Sequence, residues 1–90
     1  MARIIKKEVL TPQIKLMVID APWVACKAKP GQFVVLRINE RGERIPLTIA
    51  DFGPQEGTVT IIFQEVGKTT MMLGELEEGD EVLDFIGPLG

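Results

Sequence analysis

The chain has 90 residues, with 10 basic and 13 acidic side chains, no histidine and a net charge of -3. That length accommodates one domain, and 46% hydrophobic with 26% charged residues describes a globular chain, not a disordered one. The acidic balance argues against nucleic acid or anionic membrane as partners, and the lone Cys26 excludes an intrachain disulfide.

A single cysteine also fits a reducing, cytoplasmic setting. Neither a signal peptide nor a membrane-spanning segment is expected, since no apolar run is long enough. Without histidine the commonest general base and metal ligand are missing, so chemistry here has to come from a bound cofactor.

Short apolar runs separated by turn signals predict six strands. The first is Ile4 to Leu10, after which Thr11-Pro12-Gln13 turns the chain into Ile14 to Asp20, where Ile14, Leu16 and Val18 alternate with Lys15, Met17 and Ile19. Ala21 to Lys29 has no clear period and reads as a loop ending in the Pro30-Gly31 turn. Phe33 to Ile38 and Ile45 to Ala50 follow, joined through a polar tip, Asn39 to Glu43. Asp51 to Gly57 reads as a loop, and Thr58 to Val66 is the densest β-branched run. Thr69 to Glu77 has helical spacing, with Met72, Leu73 and Leu76 on one face and Thr69 or Thr70 available as N-cap. Glu81 to Ile86 supplies the last strand. These elements predict an all-β fold, a six-stranded antiparallel Greek-key barrel with one short helix before the last strand, because closure removes the exposed edges of an open sheet.

Three segments carry candidate chemistry. Gly67-Lys68-Thr69-Thr70 lies between a strong strand and the helix, where free N–H groups and the helix dipole favour an anion. The same residues would also serve as a capped turn with no ligand. Arg44-Ile45-Pro46-Leu47-Thr48 places a guanidinium, an apolar pair and a hydroxyl on one strand, and its proline suggests an edge or irregular rim. An arginine that simply faces water is the plainer alternative. Gly87-Pro88-Leu89-Gly90 after the last strand leads us to expect that more chain normally follows.

In order and spacing, Pro30-Gly31-Gln32-Phe33, Arg44 to Ala50, Gly67 to Thr70, Gly79-Asp80 and Gly87 to Gly90 resemble the flavin-binding domain of the ferredoxin-NADP reductase family. The likeness covers nearly the whole chain. Within the family it is similar to two subgroups, the electron-transfer subunit of dihydroorotate dehydrogenase and the small subunit of NADH-dependent reduced ferredoxin:NADP oxidoreductase. The resemblance implies a barrel binding FAD on its rim, with Pro46, Leu47 and Thr48 against the isoalloxazine ring. It implies Gly67, Lys68, Thr69 and Thr70 on the pyrophosphate, and Ile62, Phe63 and Gln64 along the ribityl and ring region. Arg44 would pair with the pyrophosphate, for which a guanidinium fork is suited. The sequence departs from a common family pattern in having Ile45 three residues before Thr48 and Leu47 in place of an aromatic.

On this reading residues 1–90 are the FAD-binding domain of a longer reductase subunit. The expected partners are its NAD(P)-binding domain and an iron-sulfur or flavin subunit, with electrons passing between them and NAD(P)H. Alone, the chain is not expected to turn over pyridine nucleotide, and the surface left without its partner domain is a candidate for self-association. A non-enzymatic barrel acting as a binding or adaptor module, with no flavin, is the alternative.

Overall fold

β-branched and aromatic residues at period two build a sheet that curls until its ends nearly meet. A computed structural model describes Met1–Gly90. The elements are β1 (Ala2–Thr11), β2 (Ile14–Asp20), α1 (Pro22–Ala25), β3 (Phe33–Arg37), β4 (Ile45–Gly53), β5 (Thr58–Gln64), α2 (Lys68–Glu75), β6 (Glu81–Val82) and β7 (Asp84–Leu89). Every pairing is antiparallel, in the order β6-β1-β2-β5-β4-β3-β7. The two outermost strands, β6 and β7, are separated in sequence by Leu83 alone, whose N–H donates to the Ile38 carbonyl at 3.0 Å. The sheet thus forms an almost closed barrel.

Alternation sends one side of each strand inward. In β2 the buried side is Lys15, Met17 and Ile19, while Ile14, Leu16 and Val18 are half-buried on the outer face. In β5 the buried residues are Val59, Ile61 and Phe63. With Ile4, Val34, Leu36, Val82 and Leu73 of α2 they join one apolar core. Lys15 is the one charged residue buried there; its ammonium donates to Glu65 at 2.9 Å and to the Pro12 carbonyl at 2.7 Å, which satisfies its charge.

The Glu65 carboxylate also lies against α2 where Gly74 sits. A Cβ at Gly74 would overlap the Glu65 side chain, so a larger residue fits at this helix position only if Glu65 moves. Lys7 reaches the same place from β1 and donates to the Gly74 carbonyl at 2.8 Å. It thereby brings a cation to the negative end of a helix that has no basic residue in its own last turn.

Several elements differ from the sequence-based expectation. There are seven strands rather than six, because Glu81 to Ile86 divides at Leu83: β6 pairs with β1 and β7 with β3. The Gly87 to Gly90 segment is no free tail, since β7 runs through Leu89, which pairs with Phe33. The loop expected at Ala21 to Lys29 contains α1, a single turn with proline at its start, where a missing N–H costs nothing. Val24 and Ala25 of α1 are fully buried, so packing holds a turn that no side-chain cap supports. Gly57, at φ +72, passes so close to Pro22 that a Cβ there would meet the ring at 3.1 Å. β4 continues through Phe52 and Gly53, which pair with Val59 and Thr58, so these residues do not break the strand. β5 stops at Gln64, short of Val66.

Candidate functional site

β4 changes partner partway along its length. Leu36↔Ile45, Val35↔Pro46, Val34↔Leu47 and Phe33↔Thr48 join its first half to β3. Its ladder with β5 runs only from Ile49↔Ile61 to Gly53↔Thr58. Past Ile49 and Ile61 the two strands part, leaving Ile45–Thr48 and Ile62–Gln64 on either side of the place where the ladder stops. Pro46 falls in the singly paired stretch, where the donor it lacks is owed to no β5 acceptor. The edge position suggested by its sequence context is therefore found inside the sheet.

Side-chain alternation sorts the residues around this parting. Pro46, Thr48, Ile62 and Gln64 are exposed, and neither Thr48 nor Gln64 has a side-chain hydrogen bond within the chain. Leu47 is half-buried against the core and Phe63 is 4% exposed. The apolar pair Pro46-Leu47 is thus divided between two faces, and Phe63 has only its backbone to offer a ligand.

β5 leads through Glu65 and Val66 to the start of α2. The cap is Gly67, in extended conformation, so the helix begins earlier than a Thr69 or Thr70 cap would give. Thr70 works from inside the first turn: its hydroxyl accepts from the N–H groups of Val66 and Gly67, each at 3.0 Å, and approaches the Gly67 carbonyl at 3.1 Å. This is half of a capping box, since glycine has no side chain to complete it. The N–H groups of Lys68, Thr69 and Thr70 have no acceptor, as expected at the beginning of a helix.

Beside this helix start is an open cleft of about 410 Å³, lined by Asn39, Arg41, Gly42 and Glu43 of the β3–β4 connection and by Lys68, Thr69 and Met72 of α2. The Thr69 hydroxyl donates to the Glu43 carboxylate at 2.7 Å. Sequence reasoning found Lys68 and Thr69 but took Asn39 to Glu43 for a plain hairpin tip. Nothing local in those residues signals that α2 will pack beside them.

Arg44 faces elsewhere. Its guanidinium stands 3.6 Å from Asp84 of β7, a carboxylate already bound at 2.8 Å by Arg37. The arginine lining the cleft is Arg41, and neither Arg41 nor Lys68 has a carboxylate within ion-pair distance. The structure therefore places Thr48 and Ile62 next beyond the last β4–β5 pair, with Pro46 and Gln64 further along the parted strands, and Gly67 to Thr70 at the helix start. It holds Arg44 toward Asp84.

The fold is shared with a solved structure, and the sequence is similar to known proteins. The chain aligns over all 90 residues, at 57% identity, with an uncharacterized protein encoded in the adh 3' region of Clostridium beijerinckii, covering 30% of that protein. It is 48% identical over 87 residues to a dihydroorotate dehydrogenase B (NAD(+)) electron transfer subunit homolog of Thermotoga maritima, of which it covers 31%. A chain of the NADH-dependent reduced ferredoxin-NADP oxidoreductase, a structure that gave insight into flavin-based electron bifurcation, superimposes with TM-score 0.98 at 47% identity. That superposition covers 100% of this chain and 33% of the other. No protein-family model matches.

Over nearly its whole length the chain is similar to a part of these oxidoreductase electron-transfer subunits. It spans about a third of the length of the relatives it matches.

Proposed function

We propose that this chain is the flavin-holding barrel of a cytosolic electron-transfer subunit and that its cofactor is FAD. The observation that carries the reading is the end of the β4–β5 ladder at Ile49 and Ile61, on the way to a helix start with three free amide donors. A flat ring system needs an apolar surface with a few hydrogen-bonding groups, and a pyrophosphate needs amide donors and positive charge. Pro46, Thr48, Ile62 and Gln64 have the first character and Gly67 to Thr70 the second, so the residues present fit the group.

On this reading Thr48 offers its hydroxyl to the ring edge, Ile62 gives apolar contact, and Gln64 orients polar atoms next to it. Leu47 and Phe63 support these residues from the core side. Lys68, Thr69 and Thr70 hold the pyrophosphate through backbone N–H groups and the lysine charge. Arg44 reaches the phosphates only by leaving Asp84, which keeps Arg37 when it does so. FAD, when bound, supplies the electron-accepting and electron-donating chemistry, and the protein supplies position and electrostatics.

The β3–β4–β5 meander, with β2 returning beside β5, we read as a Greek key. On this reading the rest of a longer subunit would supply an NAD(P)-binding domain and contacts with an iron-sulfur or flavin subunit. Electrons would pass between these through the flavin, and this chain alone would not oxidise NAD(P)H.

Titrating FAD into the chain while following flavin absorbance and fluorescence tests the reading. Quenched emission and a shifted absorbance band are expected, and Lys68→Ala should weaken binding about 3- to 10-fold, the range for one charge-assisted contact. Failure of FAD to bind either this chain or its full-length form would refute the flavin assignment.

A further inference from the structure

Glu43 is a carboxylate in a place otherwise arranged for an anion. It lines the cleft beside α2 with Arg41 and Lys68, two cations that no carboxylate pairs. The amides of Lys68, Thr69 and Thr70 open at the same helix start without acceptors. Glu43 takes one donor of this set, the Thr69 hydroxyl, at 2.7 Å. A hydroxyl has a single proton, so while it donates to Glu43 it has none for a phosphate oxygen. The carboxylate also adds a negative charge at the end of the helix where a negative ligand would settle.

We infer that Glu43 is the residue that limits the affinity of this cleft for diphosphate ligands: it holds Thr69 when no ligand is bound and must yield that hydroxyl when one binds. The inference rests on the flavin reading above, which places a pyrophosphate at Gly67 to Thr70. Two features make Glu43 suited to yielding. It is solvent-exposed, and the Thr69 hydroxyl is its only hydrogen-bond partner in the chain, so it can turn outward into water without leaving a buried group unsatisfied. Its neighbour Arg44 is restrained separately by Asp84, so a rotation of Glu43 need not disturb β4. The cleft then presents Arg41, Lys68, the Thr69 hydroxyl and the free amides to the ligand together.

The prediction is a substitution that improves binding. Glu43→Gln keeps an oxygen that can accept from Thr69 and removes only the charge. Calorimetric titrations of the wild-type chain and Glu43→Gln with FAD, ADP and riboflavin, at low and at physiological ionic strength, separate the outcomes. FAD and ADP should bind Glu43→Gln about 3- to 10-fold more tightly at low salt, and the gain should shrink as salt rises, because the effect is repulsion between exposed charges. Riboflavin carries no phosphate and should not distinguish the two proteins. Unchanged or weaker binding of FAD and ADP to Glu43→Gln, with both proteins melting at the same temperature, would overturn the inference while leaving the flavin reading intact. Weaker binding would mark Glu43 as an acceptor for a ligand hydroxyl. If FAD and ADP bind neither protein, the flavin reading fails and the inference fails with it.

Discussion

The two halves of β5 have opposite characters. From Thr58 to Ile61 the strand is flanked by β2 on one side and β4 on the other, and its Val59 and Ile61 are fully buried. From Ile62 to Gln64 it keeps β2, loses β4, and leaves Ile62 44% exposed. The inner face stays packed in both, with Phe63 only 4% exposed in the second half, so the difference lies on the outer face, where Thr60 is half-buried and Ile62 exposed. What changes is the number of ladder neighbours. A strand paired on both sides has its backbone satisfied and one face packed into the core, which makes it a source of stability. A strand that has lost a neighbour has free main-chain groups and an uncovered face, which are what a ligand requires.

The contrast is tested most severely by truncating each half. Ile61→Ala should cost about 2–5 kcal/mol, the range for emptying a buried aliphatic site, whereas Ile62→Ala one residue later should cost about 1 kcal/mol or less. Urea unfolding of the two variants measures both. Equal losses would mean that the uncovered outer face at Ile62 stabilises the fold no less than the core position at Ile61 does.

A smaller effect is expected where Glu65, just past the end of β5, meets α2. Alanine is intrinsically the better helix residue, yet Gly74→Ala should destabilise by about 1–3 kcal/mol because its methyl group displaces Glu65 from Lys15. In a Glu65→Ala background the same change should become neutral or stabilising. A double-mutant cycle read by thermal melting checks this reversal of sign. If it fails, the Lys15–Glu65 pair does not anchor the parted end.

Thr48→Val is nearly isosteric at an exposed position, so unfolding should shift by about 0.5 kcal/mol at most. Its effect should appear in flavin affinity or reduction potential, measured by spectroelectrochemical titration of the FAD-bound protein. The smallest change is expected far from either half of β5. The Lys6 pKa is raised, first by its hydrogen bond to Glu8 and also by that carboxylate's charge, but the lysine is solvent-exposed. Lys6→Ala should move the melting temperature by about 1 °C or less, since water and salt screen such a pair.

Much of the barrel was legible in the sequence because period-two patterning is a local property. Val59, Ile61 and Phe63 announce a buried face without reference to the rest of the chain. The division of the last strand was not legible: Glu81 to Ile86 reads as one run, and only the competing demands of β1 and β3 divide it at Leu83. Nor was α1, where Pro22-Trp23-Val24-Ala25 is held by burial and by an indole N–H donating to the Phe85 carbonyl at 3.1 Å. In the candidate site, Thr48 and Gly67 to Thr70 stood out because hydroxyl, glycine and proline punctuate a strand or a helix start. Glu43, Arg41 and Asp84 did not, since their roles depend on neighbours 26 to 47 positions away or on a cleft formed between distant segments.

The Leu83 seam has a consequence for the order in which the protein is made. β1 gains its second neighbour, and β3 its second, only from residues 81–89. A ribosome releases the first strand long before the last, so β1 and β3 wait with one edge open until nearly all of the barrel has emerged. During that interval the chain is an unclosed sheet, exposed to pairing with other nascent chains. The charged residues Lys6, Lys7 and Glu8 in β1 are well placed to discourage such pairing until β6 and β7 arrive.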